Sequence, residues 1–199
     1  MTAGAEFKQK VLMACCDALQ RQGFTRYRKE NVDWPLAEGF HCWVGLNTAS
    51  CSEYIELNPF VGIHASKIMK MYTYIEGRKY DRSIATYPIH VGDIAPREDV
   101  FHFYNESDLA VTSERLARIY ATAGLAYAQS ISSYSALLPL LNARVEMLGG
   151  YPERVACCLY LMGRVRDARS FAEDFLQKER PYFEGFAVPF LQMLAGQER

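Results

Sequence analysis

The chain has 199 residues, 22 basic and 23 acidic side chains, a formal net charge of −1 and 50% hydrophobic residues. A disordered chain would be less apolar and less balanced in charge, and a collagen-like chain would hold far more than its 13 Gly and 8 Pro. A nucleic-acid-binding domain needs a Lys/Arg excess to neutralise phosphate, so nucleic acid is not an expected partner.

The first element is an amphipathic helix from about Ala5 to Arg21, with Phe7, Val11, Cys15, Ala18 and Leu19 on one face and Gly23 as its stop. Three strand-like segments follow: Phe24 to Glu30, Phe40 to Leu46 and Tyr54 to Ile63. The last two alternate apolar and polar residues with period two, the mark of an antiparallel sheet with one buried face. Asn31 to Gly39 and Asn47 to Ser52 read as turns, and Pro59 predicts an edge or interrupted strand. Ser66 to Glu76 reads as a short helix, followed by two more strands, Thr86 to Val91 and Val100 to Tyr104.

From Ser107, a candidate N-cap, the period becomes helical and stays so. Tyr134 to Leu148 reads as a helix interrupted at Pro139, and Gly149-Gly150 as a break. Pro152 opens another helix, Gly163 turns the chain into a returning helix over Val165 to Lys178, and Pro181 begins a final aromatic-rich helix. Strands followed by helices predict an α+β fold: an N-terminal helix packed on a mostly antiparallel sheet of about five strands, then a C-terminal helical bundle. The expected organisation is a single domain, 1–199, made of a helix-plus-sheet part over 1–105 and a helical extension over 106–199.

No run of about 18 apolar residues predicts a membrane span, and the N-terminal segment lacks the apolar core and small-residue cleavage site of a signal peptide. A cytoplasmic protein without a membrane partner is expected. Of the six cysteines, Cys15-Cys16 and Cys157-Cys158 are adjacent helical pairs, splayed by about 100°. Together with Cys42 and Cys51 they read as reduced thiols, the paired ones as small core hydrophobes.

Motifs for nucleotide binding, serine hydrolysis and zinc-peptidase chemistry are all missing. His41, Cys42, Cys51, His64, His90 and His102 fall in or near the sheet, but no pair has metal-ligand spacing. Cys51 with His64, His90 or His102 is the best set for thiol catalysis, and a sheet-face pocket of His41, Trp43 and Glu56 the best for an enzyme of another kind. Neither spacing singles out a reaction, so no catalytic residue, metal or cofactor is expected.

Charge distribution is the more informative signal. From Val91 to Glu114 the acids are Asp93, Glu98, Asp99, Glu106, Asp108 and Glu114, against Arg97 alone, beside Phe101, His102, Phe103 and Tyr104. Lys8 to Glu30 and Lys67 to Arg82 are basic. Carboxylates beside aromatics suit a surface for a basic protein, with Asp93, Glu98, Asp99, Glu106, Asp108, Tyr104, Glu53 and Glu56 as partner-binding candidates.

The run Ala18-Leu19-Gln20-Arg21-Gln22-Gly23-Phe24, followed by Arg26, Arg28 and short strands, resembles bacterial α+β immunity-type domains of polymorphic toxin systems. The spacing Ala156, Leu159, Gly163, Ala168 resembles a single tetratricopeptide-like hairpin. The first resemblance implies a non-enzymatic immunity protein, a monomer or weak homodimer, that blocks the active site of a cognate protein toxin. The alternatives are an adaptor or assembly protein using its C-terminal helices, and an enzyme with the sheet-face pocket above.

Overall fold

The structure, a computed structural model, describes residues 3–147 and 150–196. The element order bears out the α+β expectation. Helix α1 (Ala3–Arg21) precedes β1 (Thr25–Arg28), β2 (Asn31–Pro35), β3 (Phe40–Ser50) and β4 (Ile55–Ala65). Then come α2 (Ser66–Ile75), β5 (Tyr87–His90), β6 (Phe101–Phe103) and the helices α3 (Asp108–Ile119), α4 (Leu125–Ser130), α5 (Tyr134–Arg144), α6 (Pro152–Leu161), α7 (Val165–Lys178) and α8 (Arg180–Gly196). The chain forms two compact units, Met1–Ile63 with Pro88–Ser130, and His64–Tyr87 with Ile131–Arg199.

The first unit is built on the sheet. Its strands run in the order β1-β2-β3-β4-β5, and β6 also pairs with β4. α1 buries Val11, Cys15, Cys16, Ala18 and Leu19 and packs against α3. It ends where Gly23 takes a φ of +100° and the Phe24 amide donates to the Leu19 carbonyl, a glycine-capped helix end. A Cβ at Gly23 would lie 2.7 Å from the Trp34 ring, so space and backbone both require glycine.

Two expectations for this unit are corrected. Asn31 to Pro35, read as the start of a turn, is the strand β2, with Asp33 opposite Trp43 and Trp34 opposite Cys42. Its Asn, Asp and Pro disguise it, because they disfavour strands in isolation and the pairing comes from β1 and β3. β4 is neither an edge nor interrupted: it is continuous through Pro59, with β3 along one side and β5 and β6 along the other. Pro59 lies beyond the β6 pairing, which ends at Leu57, so its missing N–H removes no bond from that ladder.

Between α3 and α4 the helix widens into a π turn over Tyr120–Gly124. It seats Tyr120, fully buried, so that its hydroxyl donates toward the carbonyls of Gly45 on β3 (3.1 Å) and Phe60 on β4 (2.9 Å). The Ser107 cap is also corrected. Ser107 has helical φ and ψ and makes no cap bond; the Asp108 carboxylate accepts from the Tyr104 and Asn105 amides instead.

The second unit is mostly helical. α6 and α7 form the hairpin expected around Gly163, whose φ is +75° and where the Arg164 amide donates to the Leu159 carbonyl. α8 lays Phe183, Phe186 and Phe190 into the core with Phe175 of α7. α5 is not interrupted by Pro139, which lies inside the helix; Ser133 caps it by accepting from the Ala136 amide. The expected end of that helix at Leu148, and Gly149 of the glycine break, lie outside the described residues.

Candidate protein-binding surface

β3 and β4 form a hairpin whose turn is closed by the Cys51 amide donating to the Tyr54 carbonyl at 2.9 Å. β6 joins the other side of β4, placing Ile55 opposite Phe103, Glu56 opposite His102 and Leu57 opposite Phe101. Strand alternation then separates the two faces: Ile55, Leu57, Phe101 and Phe103 are buried, while Glu56 and His102 point the other way.

Three rings converge there. Tyr54 meets His102 edge-on at 4.8 Å between centroids and Tyr104 at 5.5 Å, and His102 and Tyr104 are 6.2 Å apart. Tyr104 is 57% exposed, among the most exposed large side chains described. Glu56 Oε2 lies 3.5 Å from His102 Nε2, and the Asn58 amide donates to Glu56 Oε1 at 2.9 Å. The hydrogen bond between Tyr54 and the exposed thiol of Cys51 raises the phenol's pKa above its ordinary value. Rigid aromatic faces with polar tips, set beside an oriented carboxylate, offer contact area at low entropic cost.

The eight residues selected from the sequence are distributed unevenly around this cluster. Tyr104 and Glu56 belong to it, and Glu53 is exposed in the adjoining turn. Asp93 and Asp99 are exposed and make no ion pair among the described residues. They are neighbours, because a Cβ on Gly92 would lie 3.0 Å from the Asp99 Cβ. Glu98 is paired with Arg115 at 3.3 Å and Glu106 with Lys10 at 2.6 Å. Asp108 is occupied in capping the loop before α3. Packing α1 on α3 thus brings in cations far away in sequence and shrinks the linear acidic excess. Tyr54 is not among the sequence candidates, and His102 is there only as a possible thiol-catalysis or metal residue; strand alternation is the signal that sets His102 and Tyr104 opposite to Phe101 and Phe103.

The alternative sites do not assemble. His41 and Glu56 are each the second residue of their strands, so the antiparallel hairpin puts them near opposite ends, on the order of 25 Å apart at about 3.3 Å per residue. His41 instead lies 3.5 Å from the buried Asp33. Of the three histidines considered for Cys51, only His102 shares its neighbourhood, and Tyr54 stands next to both. His64 is a fully buried core residue, with Nδ1 at 2.8 Å from the Ile84 carbonyl and Nε2 at 2.7 Å from the Tyr80 hydroxyl. Among the described residues no group of three or more His, Cys, Asp or Glu is arranged to hold a metal.

The second unit holds a buried charged pair on α6. Arg154 donates to the Thr86 carbonyl at 2.6 Å and stacks over the Tyr151 ring at 3.5 Å. Burial raises the pKa of the adjacent Glu153 carboxyl. A cleft of about 710 Å³ lies among Val145, Met147, Phe175, Lys178 and Tyr182.

No family model matches the chain, and no curated protein or solved structure is significantly similar to it.

Proposed function

We propose that this chain is a non-enzymatic immunity-type protein that binds a cognate bacterial protein toxin and covers its active site. The observation that carries the reading is the Tyr54–His102–Tyr104 cluster, in which His102 and Tyr104 are exposed, with Glu53 and Glu56 beside it. Aromatic anchors supply most of the energy in protein interfaces, and carboxylates around them complement a basic groove such as one that holds a nucleic acid or other anionic substrate. Asp93 and Asp99, in no ion pair among the described residues, add long-range attraction that speeds encounter. In this reading the protein acts in the cytoplasm, where an unneutralised toxin would do its damage.

The test is co-expression with a toxin-domain protein encoded immediately upstream, combined with calorimetry on the purified pair. Protection from growth arrest and a tight complex are expected. Tyr54→Ala with Tyr104→Ala should weaken that complex by at least about thirtyfold, the equivalent of about 2 kcal/mol for a single hot spot. No protection and no complex would refute the assignment. Full affinity in a folded double variant would move the interface elsewhere.

A further inference from the structure

The outer face of α2 is basic and carries an aromatic side chain with almost no cover. Lys67, Lys70 and Tyr74 recur at i, i+3 and i+7, which aligns them along one stripe of the helix, and all three are exposed. The opposite side buries Ile68, Met69 and Thr73. Tyr74 is 83% exposed, the most exposed large hydrophobic residue described. Beyond the helix, Arg78 and Lys79 continue the positive surface, and Lys67 to Arg82 hold five bases and two acids. Arg78 is held by Glu76 at 2.8 Å, and Lys70 lies over the Tyr80 ring at 5.5 Å. Lys67 and Lys79 make no ion pair among the described residues.

We propose that this face docks on the Asp93–Asp99 loop of a second copy of the chain. Charge complementarity selects that occupant. The lysines of the stripe stand about 5–6 Å apart at Cβ. Asp99 packs against Gly92, the residue preceding Asp93, so the two exposed acidic residues belong to one loop surface. These exposed carboxylates, in no ion pair among the described residues, complement the exposed ammonium groups of the stripe, and Tyr74, one turn beyond Lys70, supplies contact area. The two patches differ, so the contact is heterologous: it builds chains or a ring rather than a two-fold dimer. It does not depend on the toxin reading, because it is measured with this chain alone.

The experiment is sedimentation or light scattering across concentration, in low salt of about 20 mM and in about 500 mM, where the Debye length falls from roughly 20 Å to under 5 Å. The wild-type average mass should rise with concentration in low salt and return to that of a monomer in high salt. Lys67→Glu with Lys70→Glu should remain monomeric in low salt, and so should Asp93→Lys with Asp99→Lys. Mixing the two variants should restore association, since each then meets opposite charge at both contacts. Tyr74→Ala should weaken association without a change in salt dependence. A monomeric wild type at every concentration in low salt overturns the proposal, as does failure of the mixed variants to associate. Binding of the α2 face to a polyanion with no self-association would likewise overturn it and give the surface to nucleic acid.

Discussion

Replacing Tyr120 by Phe removes one oxygen from the centre of the first unit and little else. The side chain is fully buried, and burial drives its phenol pKa well above the ordinary value, so the group is a neutral donor at any physiological pH. Its hydroxyl reaches two carbonyls, of Gly45 and Phe60, on adjacent strands. A net hydrogen bond contributes about 1 kcal/mol, and a buried acceptor left without its donor costs about 1–3 kcal/mol. Each carbonyl keeps a second lone pair, so the expected loss is about 2 kcal/mol. Both tryptophans, Trp34 and Trp43, lie on strands of this unit, so their fluorescence in a urea titration reports its unfolding. The midpoint should fall with an unchanged slope, since the surface exposed on unfolding is the same. Tyr120→Leu should cost more, because it also removes ring contacts such as that with Phe24. A Phe variant within about 0.3 kcal/mol of the wild type would mean that the π turn is not fastened to the sheet through this hydroxyl.

Three other outcomes follow from particular contacts. Gly45→Ala should destabilise by about 1–3 kcal/mol and shift the tryptophan emission, because the new methyl would overlap the Trp43 ring and lie 3.1 Å from Phe60 Cβ; melting with fluorescence detection checks both. Thiol labelling of the native protein near pH 8 should modify Cys51 alone. Burial pushes the thiols of Cys16 to about 11 and those of Cys42 and Cys158 to about 12, and raises those of Cys15 and Cys157 as well; fast labelling of a second site by mass spectrometry would contradict this. Glu153→Gln should stabilise the second unit at neutral pH. Burial raises the folded carboxyl pKa, so the folded state favours the protonated form, and wild-type stability is fully present below the unfolded pKa and lost as pH rises through the folded one. The gain should vanish in acid, and an equal gain at pH 3 and pH 7 in denaturation curves would show that ionisation is not its cause.

Much of the architecture is set by local pattern. The 3.6 period over residues 152–178, with Gly163 between two apolar stripes, specifies the α6–α7 hairpin almost to the residue, because a helix buries one face and ends where a glycine can turn it. The alternation along β3 and β4 likewise fixes which residues face the core. β2 was not legible, because Asn31, Asp33 and Pro35 become a strand only when neighbours on both sides supply the ladder. Pro59 misled for a related reason: its cost depends on whether a partner stands opposite, which sequence spacing does not encode.

The surface divides in the same way. Sequence by itself determined that the chain is a well-filled α+β protein, with a concentration of carboxylates and aromatics after Val91 and cations before Arg28 and around Arg78. Only the tertiary structure decided which of those charges remain available. Lys10 and Arg115 quench Glu106 and Glu98, Asp108 turns back to accept from the Tyr104 and Asn105 amides of the loop before its helix, and Tyr54 joins Tyr104 across two strands. The physical reason is range. Periodicity and capping act within a few residues, so a sequence displays them. Ion pairs and ring contacts act over a few ångströms of space, between residues such as Lys10 and Glu106 that lie 96 positions apart along the chain.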